Sequence, residues 1–326
     1  MKKQLEELQI QQRYVEILGA LKGCLDYLGR PVSFPWLYGA TGHAFILSLD
    51  PGVDVSSPYT WDDDVLFDLA PGIGFRVDGL KIWRDDAGDS WTDRQCDAWR
   101  FVRSAIDRDT PCFGWELKAH YGGYWVITGY DDGSGDVDAG YYYSGWETGG
   151  PTPWQKLGEL FVPLLEVHSV DLCDAAPDRA VVREGLSMAL KFAENPTGWL
   201  SAEGLSGAAA FAYWAGALET GEAKRDDHTY NAQLWLECRE MAVAFLQEAK
   251  GRLPGCCDEL FDRAADQYRT VCAAFREIVA LHPARTPAEQ DWQSTFASPE
   301  AAALVRAVGQ ADAEGLNRLR DIWDRL

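Results

Sequence analysis

Apolar and polar positions follow two different patterns along this chain, and the change falls near residue 174. In the first part, Leu5, Leu8, Val15, Leu18, Leu21, Leu25 and Leu28 recur at threes, fours and sevens. That spacing predicts a helix over 3–28, which Gly29 ends and Pro31 keeps from resuming. A strand is predicted at 45–49, a short helix at 61–69, a strand at 75–83, and a helix at 92–107 with Thr92 or Asp93 as N-cap. Strands follow at 112–117, 124–130, 141–146 and 160–170. The strand at 124–130 shows the alternation most clearly. Tyr124, Val126 and Thr128 fall on one parity and Trp125 and Ile127 on the other, and the acidic, glycine-rich run 131–136 supplies a turn.

After Asp174 strand-like alternation stops and Ala becomes dominant. Helices are predicted near 177–194, 203–219, 227–251, 256–281 and 298–325, with breaks at Asn195-Pro196, Gly221, Leu253-Pro254-Gly255 and His282-Pro283. The expected fold class is therefore α+β. It has an antiparallel-sheet domain over 1–172 and an all-α domain over 173–326.

Composition narrows the partners. The chain has 326 residues, enough for two cores, and 47% of them are apolar, as in globular proteins. A formal net charge of −21 opposes binding to nucleic-acid backbones or anionic lipid, so neither nucleic acid nor membrane is expected as a partner. No apolar run reaches the ~18–20 residues of a membrane span, and the start, Met1-Lys2-Lys3, lacks a signal-peptide apolar region. The eight cysteines form no CxxC pair, which suggests reduced thiols and a cytoplasmic location. Neither a GxGxxG nor a P-loop occurs, and no cofactor is expected.

No metal site is expected either. The carboxylates between Asp131 and Asp138 lack the terminal Glu of a calcium loop, and the five His are scattered. The acids Asp62, Asp63 and Asp64 suit a helix N-terminus. Fourteen Trp suggest aromatic pocket walls or packing between domains.

The run Gly123-Tyr124-Trp125-Val126-Ile127-Thr128-Gly129-Tyr130-Asp131 resembles the histidine-bearing strand of papain-like peptidases. The likeness is to the C39-like group and the N-terminal domain of the butirosin-biosynthesis acyltransferase family. Ser33-Phe34-Pro35-Trp36-Leu37-Tyr38-Gly39 and His43-Ala44-Phe45 resemble the run that follows the first core helix in that family. The resemblance covers roughly 10–146 and implies a papain-like fold for the first domain. It also implies a catalytic Cys at the start of the first helix, a His opening the strand, and an upstream oxyanion Gln.

The sequence departs from that pattern at two slots. Counting back from Gly29 places Tyr14 where the Cys is expected, and Gly123 stands where the His is expected. Gln9, Gln11 and Gln12 lie near the Gln slot; the orienting acid could be Asp131, Asp136, Asp138 or none of them. In the second half, Asn231–Arg239 and the later Ala265–Tyr268 resemble helical domains that accompany such N-terminal domains in uncharacterised bacterial proteins.

The leading expectation is a non-peptidase papain-like protein. It binds a peptide, an acyl group or a small amino-containing ligand in a cleft between the domains. Tyr14, His43, His120, Tyr124 and Asp131 are the candidate ligand residues of the first domain. His228, Asn231 and Trp235, which share one helix face, are those of the second. A rival reading is an active cysteine hydrolase or acyltransferase with a relocated thiol, Cys24 or Cys112, paired with His43 or His120. A third is a structural or interaction module.

Overall fold

The structure is a computed structural model describing residues 1–118, 122–134, 138–160, 162–196, 198–201, 203–286, 288–291 and 293–326. In chain order its elements are β1 (Lys2–Gln4), α1 (Glu16–Tyr27), α2 (Phe34–Ala40), β2 (Ser48–Leu49), α3 (Asp64–Ile73), β3 (Phe75–Trp83), α4 (Arg84–Ala87), α5 (Trp91–Asp107) and β4 (Cys112–Trp115). There follow β5 (Tyr124–Asp131), β6 (Gly140–Ser144), β7 (Thr148–Pro153), β8 (Leu164–Leu172), α6 (Asp178–Glu194), β9 (Leu205–Ser206), α7 (Gly207–Thr220), α8 (Arg225–Arg252), α9 (Asp258–Leu281) and α10 (Pro299–Trp323). The protein is α+β, with an antiparallel sheet and a helical C-terminal region.

Each of its two compact units is assembled from two stretches of chain. The first unit is Met1–Ser33 with Gly74–Ala175, and the second is Phe34–Ile73 with Ala176–Leu326. Residues 34–73, which the change of texture assigns to the first domain, therefore pack with the helical half. The physical reason is apolar burial: Trp36, Leu37 and Tyr38 of α2 are buried, and α2 packs on α8 and α6.

In the first unit the strands run β3-β8-β4-β5-β6-β7, all antiparallel, and β1 pairs with the C-terminal half of β5. The helix predicted from residue 3 is corrected here, because Lys2–Gln4 form a strand and α1 starts only at Glu16. Leu5 and Leu8 are buried as expected, but from either side of a turn at Glu6 and Glu7, where the Leu8 N–H donates to the Leu5 carbonyl at 3.3 Å. Gly19 and Gly23, one turn apart on α1, explain why. A Cβ at Gly19 would overlap the Gln11 carbonyl and one at Gly23 the Gln9 carbonyl, so the segment before the helix lies against a glycine face. The Gln11 N–H donates to the Gly19 carbonyl at 3.1 Å and fastens it there. Helix α1 then packs on β5 and β4, with Leu18, Leu21, Cys24 and Leu25 in the core.

In the second unit α8 packs against α9, α9 against α10, and α10 against α7 and α6. The ends of the helices follow ordinary chemistry. Asp226 and Asp227 occupy the first turn of α8 and Lys250 and Arg252 its last, as the helix dipole favours. Ser298 caps α10, its hydroxyl accepting the Ala301 N–H at 3.2 Å, and Pro299 follows it. Gly221 closes α7 in the left-handed conformation. The strand predicted at 45–49 shrinks to β2, paired with β9. The Ala44 and Ile46 carbonyls accept from the Arg239 guanidinium at 3.1 and 2.8 Å, which takes them out of a ladder.

Candidate functional site

The approach segment of the first unit fixes Glu16 as the first residue of α1. Its carboxylate sits at the positive end of the helix, where a negative charge is stabilised. Gly123 lies opposite, immediately before β5, with φ +112°. A Cβ built on Gly123 would overlap the Glu16 carboxylate, so Glu16 fills the space that a side chain at 123 would need. The residue facing the expected histidine slot is thus Glu16, two positions beyond the Tyr14 inferred by counting turns. Tyr14 is half-buried on the extended approach.

Ile10, Gln12 and Arg13 from the approach, Glu16 of α1, Tyr124, and Gly145 and Trp146 after β6 border a small pocket of about 10 Å³, room for one water-sized group. Two hydrogen bonds tie its walls together. Gln12 Nε2 donates to the Gly145 carbonyl at 2.8 Å, and Trp146 Nε1 donates to Glu16 Oε1 at 3.2 Å. Trp146 is 59% exposed, so a large aromatic stands at the mouth beside a carboxylate. An aromatic face next to an acid is suited to an ammonium group, which each attracts.

Strand alternation sends the next side chain, Tyr124, to the opposite face of the sheet. There its hydroxyl donates to Glu166 Oε1 at 3.0 Å, and His168 Nε2 is 2.9 Å from the same oxygen. The His168 ring stacks on Phe113 with centroids 5.1 Å apart, and Gly79 on β3 leaves room for it. Lys81 Nζ approaches Glu166 at 4.0 Å. This buried Tyr–Glu–His cluster was missed by sequence reasoning. Its signal was available in Glu166 and His168, two polar residues of one parity on either side of Val167 in β8.

Asp131 ends β5, and its Oδ1 accepts the Gly133 N–H at 3.0 Å, as a turn residue does. Asp132 pairs with the Met1 ammonium and Ser134. His120 and Asp136 lie outside the described residues.

The remaining predicted residues are in the second unit, where they are buried. His228 accepts from Trp214 Nε1 at 3.0 Å through Nδ1 and meets His282 Nδ1 at 3.3 Å through Nε2. Burial pulls its imidazole down to about 3, with the nearby His282 adding to the shift. Asn231 donates through Nδ2 to the Val53, Asp54 and Asp227 carbonyls at 3.2, 2.9 and 3.0 Å, pinning the 53–54 turn to α8. Trp235 is fully buried. The shared face of His228, Asn231 and Trp235 is real, and packing consumes it.

His43 is buried beside Tyr38 and Trp61, and burial, with Arg239 assisting, lowers its imidazole to about 4. Its Nδ1 lies 3.8 Å from Cys238 Sγ, but burial pushes that thiol up, so both groups are held neutral. Cys24 and Cys112 are likewise fully buried, and desolvation raises both thiols. A nucleophilic thiol needs the opposite environment, partly exposed and electropositive.

Asp62, Asp63 and Asp64 bring their carboxylates within 4.8 Å of one another at the start of α3, and Asp62 accepts the Asp64 N–H at 3.2 Å. Among the described residues no helix is long and apolar enough to cross a membrane. No protein-family profile matches the chain, and no curated protein does.

Proposed function

We propose that this chain is a non-peptidase protein with a papain-like first unit, and that the pocket at the start of α1 holds the ammonium end of a small amine or peptide. The observation that carries this reading is the Glu16 carboxylate filling the space left by Gly123. Where a thiol–imidazole pair would do covalent chemistry, the chain presents an acid and no side chain. A carboxylate there can bind a cation, while the fully buried Cys24 and Cys112 thiols are unsuited to attack. Size limits what enters. About 10 Å³ is far below the roughly 300–1,000 Å³ of a site that encloses a whole small molecule, so the pocket meets only a charged head group and leaves the remainder outside.

The test is calorimetric titration of the protein with primary amines, dipeptides and their N-acetylated forms, repeated with Glu16→Gln. A hydrogen bond to a charged group contributes about 1.5–3 kcal/mol, so the substitution should weaken amine binding roughly 10- to 100-fold. Acetylation should abolish binding to the wild type. Equal affinity for free and acetylated amines, or an unchanged affinity in the variant, refutes the assignment. Thiol-dependent peptide hydrolysis that is lost in Cys112→Ala would instead restore the relocated-cysteine reading.

A further inference from the structure

The turn between α8 and α9 carries two adjacent cysteines, Cys256 and Cys257. Both are half-buried, and their sulfurs stand 3.6 Å apart. Cys257 has φ 65° and ψ 27°, a left-handed backbone that residues other than Gly, Asn and Asp seldom adopt. It is also the N-cap residue of the 24-residue α9, where the positive dipole end favours a thiolate. The turn is held by its backbone, with the Cys256 N–H donating to the Leu253 carbonyl at 3.0 Å and the Gly255 N–H to Asp258 Oδ1 at 3.2 Å. Two thiols are thus presented side by side by a conformation that a side chain ordinarily disfavours.

A disulfide and a chelate make different demands on this pair. Neighbouring Cα atoms across a trans peptide are about 3.8 Å apart, whereas disulfides ordinarily join Cα atoms roughly 4.4–6.8 Å apart, so oxidation of adjacent cysteines is disfavoured. Two sulfurs each about 2.3 Å from one soft atom, at bond angles of about 95–110°, stand roughly 3.4–3.8 Å apart. The observed 3.6 Å lies within that range with no movement of the backbone.

The number of donors narrows the guest. Among the described residues, no third His, Cys, Asp or Glu gathers with these sulfurs closely enough to share an ion. The described residues therefore offer two thiols and no third ligand. An open groove of about 490 Å³, bordered by Gly255, Cys257, Asp258, Glu259, Leu260 and Arg325, leaves room for a substituent on the guest. Desolvation raises the Cys257 thiol, and positive charge from Arg179 and Arg325 offsets only part of that rise.

From this juxtaposition we infer that Cys256 and Cys257 form a dithiol site for a monosubstituted trivalent metalloid, of the type R–As(OH)2. Such a group needs two sulfur ligands, and its substituent would lie in the groove. The reaction balances without an oxidant: two S–H and two As–O bonds break, two As–S bonds form, two waters leave, and arsenic stays trivalent. Burial and the neighbouring Cys256 sulfur hold the Cys257 thiol above its ordinary value, so the proton stays on sulfur until the metalloid displaces it.

The experiment treats the full chain with phenylarsine oxide and reads the product by intact mass and peptide mapping. One adduct per chain is expected, on the peptide containing both cysteines, resistant to excess monothiol and released by a dithiol. Cys256→Ser and Cys257→Ser should each weaken capture by about 10²–10⁴-fold, because the second bond forms intramolecularly. Cys257→Gly, which suits the left-handed backbone, should lose capture equally while retaining the fold, and so separates loss of the site from loss of structure. Undiminished capture in these variants overturns the inference. So does an absence of adduct combined with peroxide joining the pair as a disulfide.

Discussion

Glu16 in the first unit and Arg239 in the second are both charged residues on helices, yet their surroundings differ. Glu16 is half-buried, faces a small pocket and meets an exposed indole. Arg239 is fully buried and bonds to Asp312 through Nε at 2.6 Å and through Nη2 at 3.0 Å. Its Nη1 is spent on the Ala44 and Ile46 carbonyls. One charge stands on the wall of a pocket, and the other holds segment 34–73 against α8 and α10. A charged residue on a helix face can serve a pocket or the packing, and its place in the helical period does not say which.

The sharpest way to break this comparison is to remove Arg239. Arg239→Met leaves Asp312 buried without its partner and should cost about 3–5 kcal/mol in urea unfolding. The double variant Arg239→Met/Asp312→Leu should recover much of that loss. Full stability in the single variant would show that the pair does not hold the segment.

Acid probes the same contrast through His43. Its folded-state pKa of about 4 lies below the ordinary 6.5. Between those values the unfolded chain takes up a proton that the folded chain refuses. The stabilisation is therefore present above pH 6.5 and lost as pH falls through about 4, roughly 3 kcal/mol in all. His228, lowered to about 3, acts with the same sign. Asp227 opposes it: burial raises its carboxyl to about 6, so the folded state gains on protonation as pH falls through that value. Unfolding free energies measured from pH 7 to 4 should decline, and His43→Gln should flatten the decline. An unchanged slope in His43→Gln would locate the acid sensitivity elsewhere.

A smaller effect tests the first unit. Gly123→Ala forces a side chain into a left-handed conformation and into the Glu16 carboxylate, and should cost about 1–3 kcal/mol while abolishing amine binding. Gly251→Ala, at an open position in α8, should instead gain about 0.5–1 kcal/mol. If both glycines respond alike in thermal unfolding, the close approach of Glu16 to Gly123 is not what constrains residue 123.

How far the sequence was legible depended on whether a pattern had one physical meaning. The alternation at Tyr124–Thr128 placed β5, and the five C-terminal helices appear where Ala-rich periodicity and the Pro and Gly breaks put them. Leu5 and Leu8 misled because a turn whose following segment lies on Gly19 and Gly23 buries leucines as well as a helix does. Neither α2 nor β7 stood out, since Phe34-Pro35-Trp36 reads as a turn and Thr148–Pro153 is rich in Gly and Pro. Gly123 was recognisable from the strand that follows it, but its partner was not. Which residue lies against Gly123 depends on where a helix begins, and that was set by tertiary contact. His228, Asn231 and Trp235 were correctly placed on one face, and periodicity alone could not tell a pocket wall from a core.

The discontinuous second unit also has a consequence for synthesis. When residue 175 has been made, every strand of the first unit's sheet exists. Phe34–Ile73 by then carries Trp36, Leu37, Phe45, Ile46 and Leu47 but none of the helices that will bury them. Those helices lie between Ala176 and Leu326, and at about 5–20 residues per second their translation takes roughly 8–30 s. For that interval the nascent chain exposes an apolar stretch flanked by a domain able to close, a substrate for a holding chaperone at one defined place. A gene cut after residue 172 would make that temporary exposure permanent.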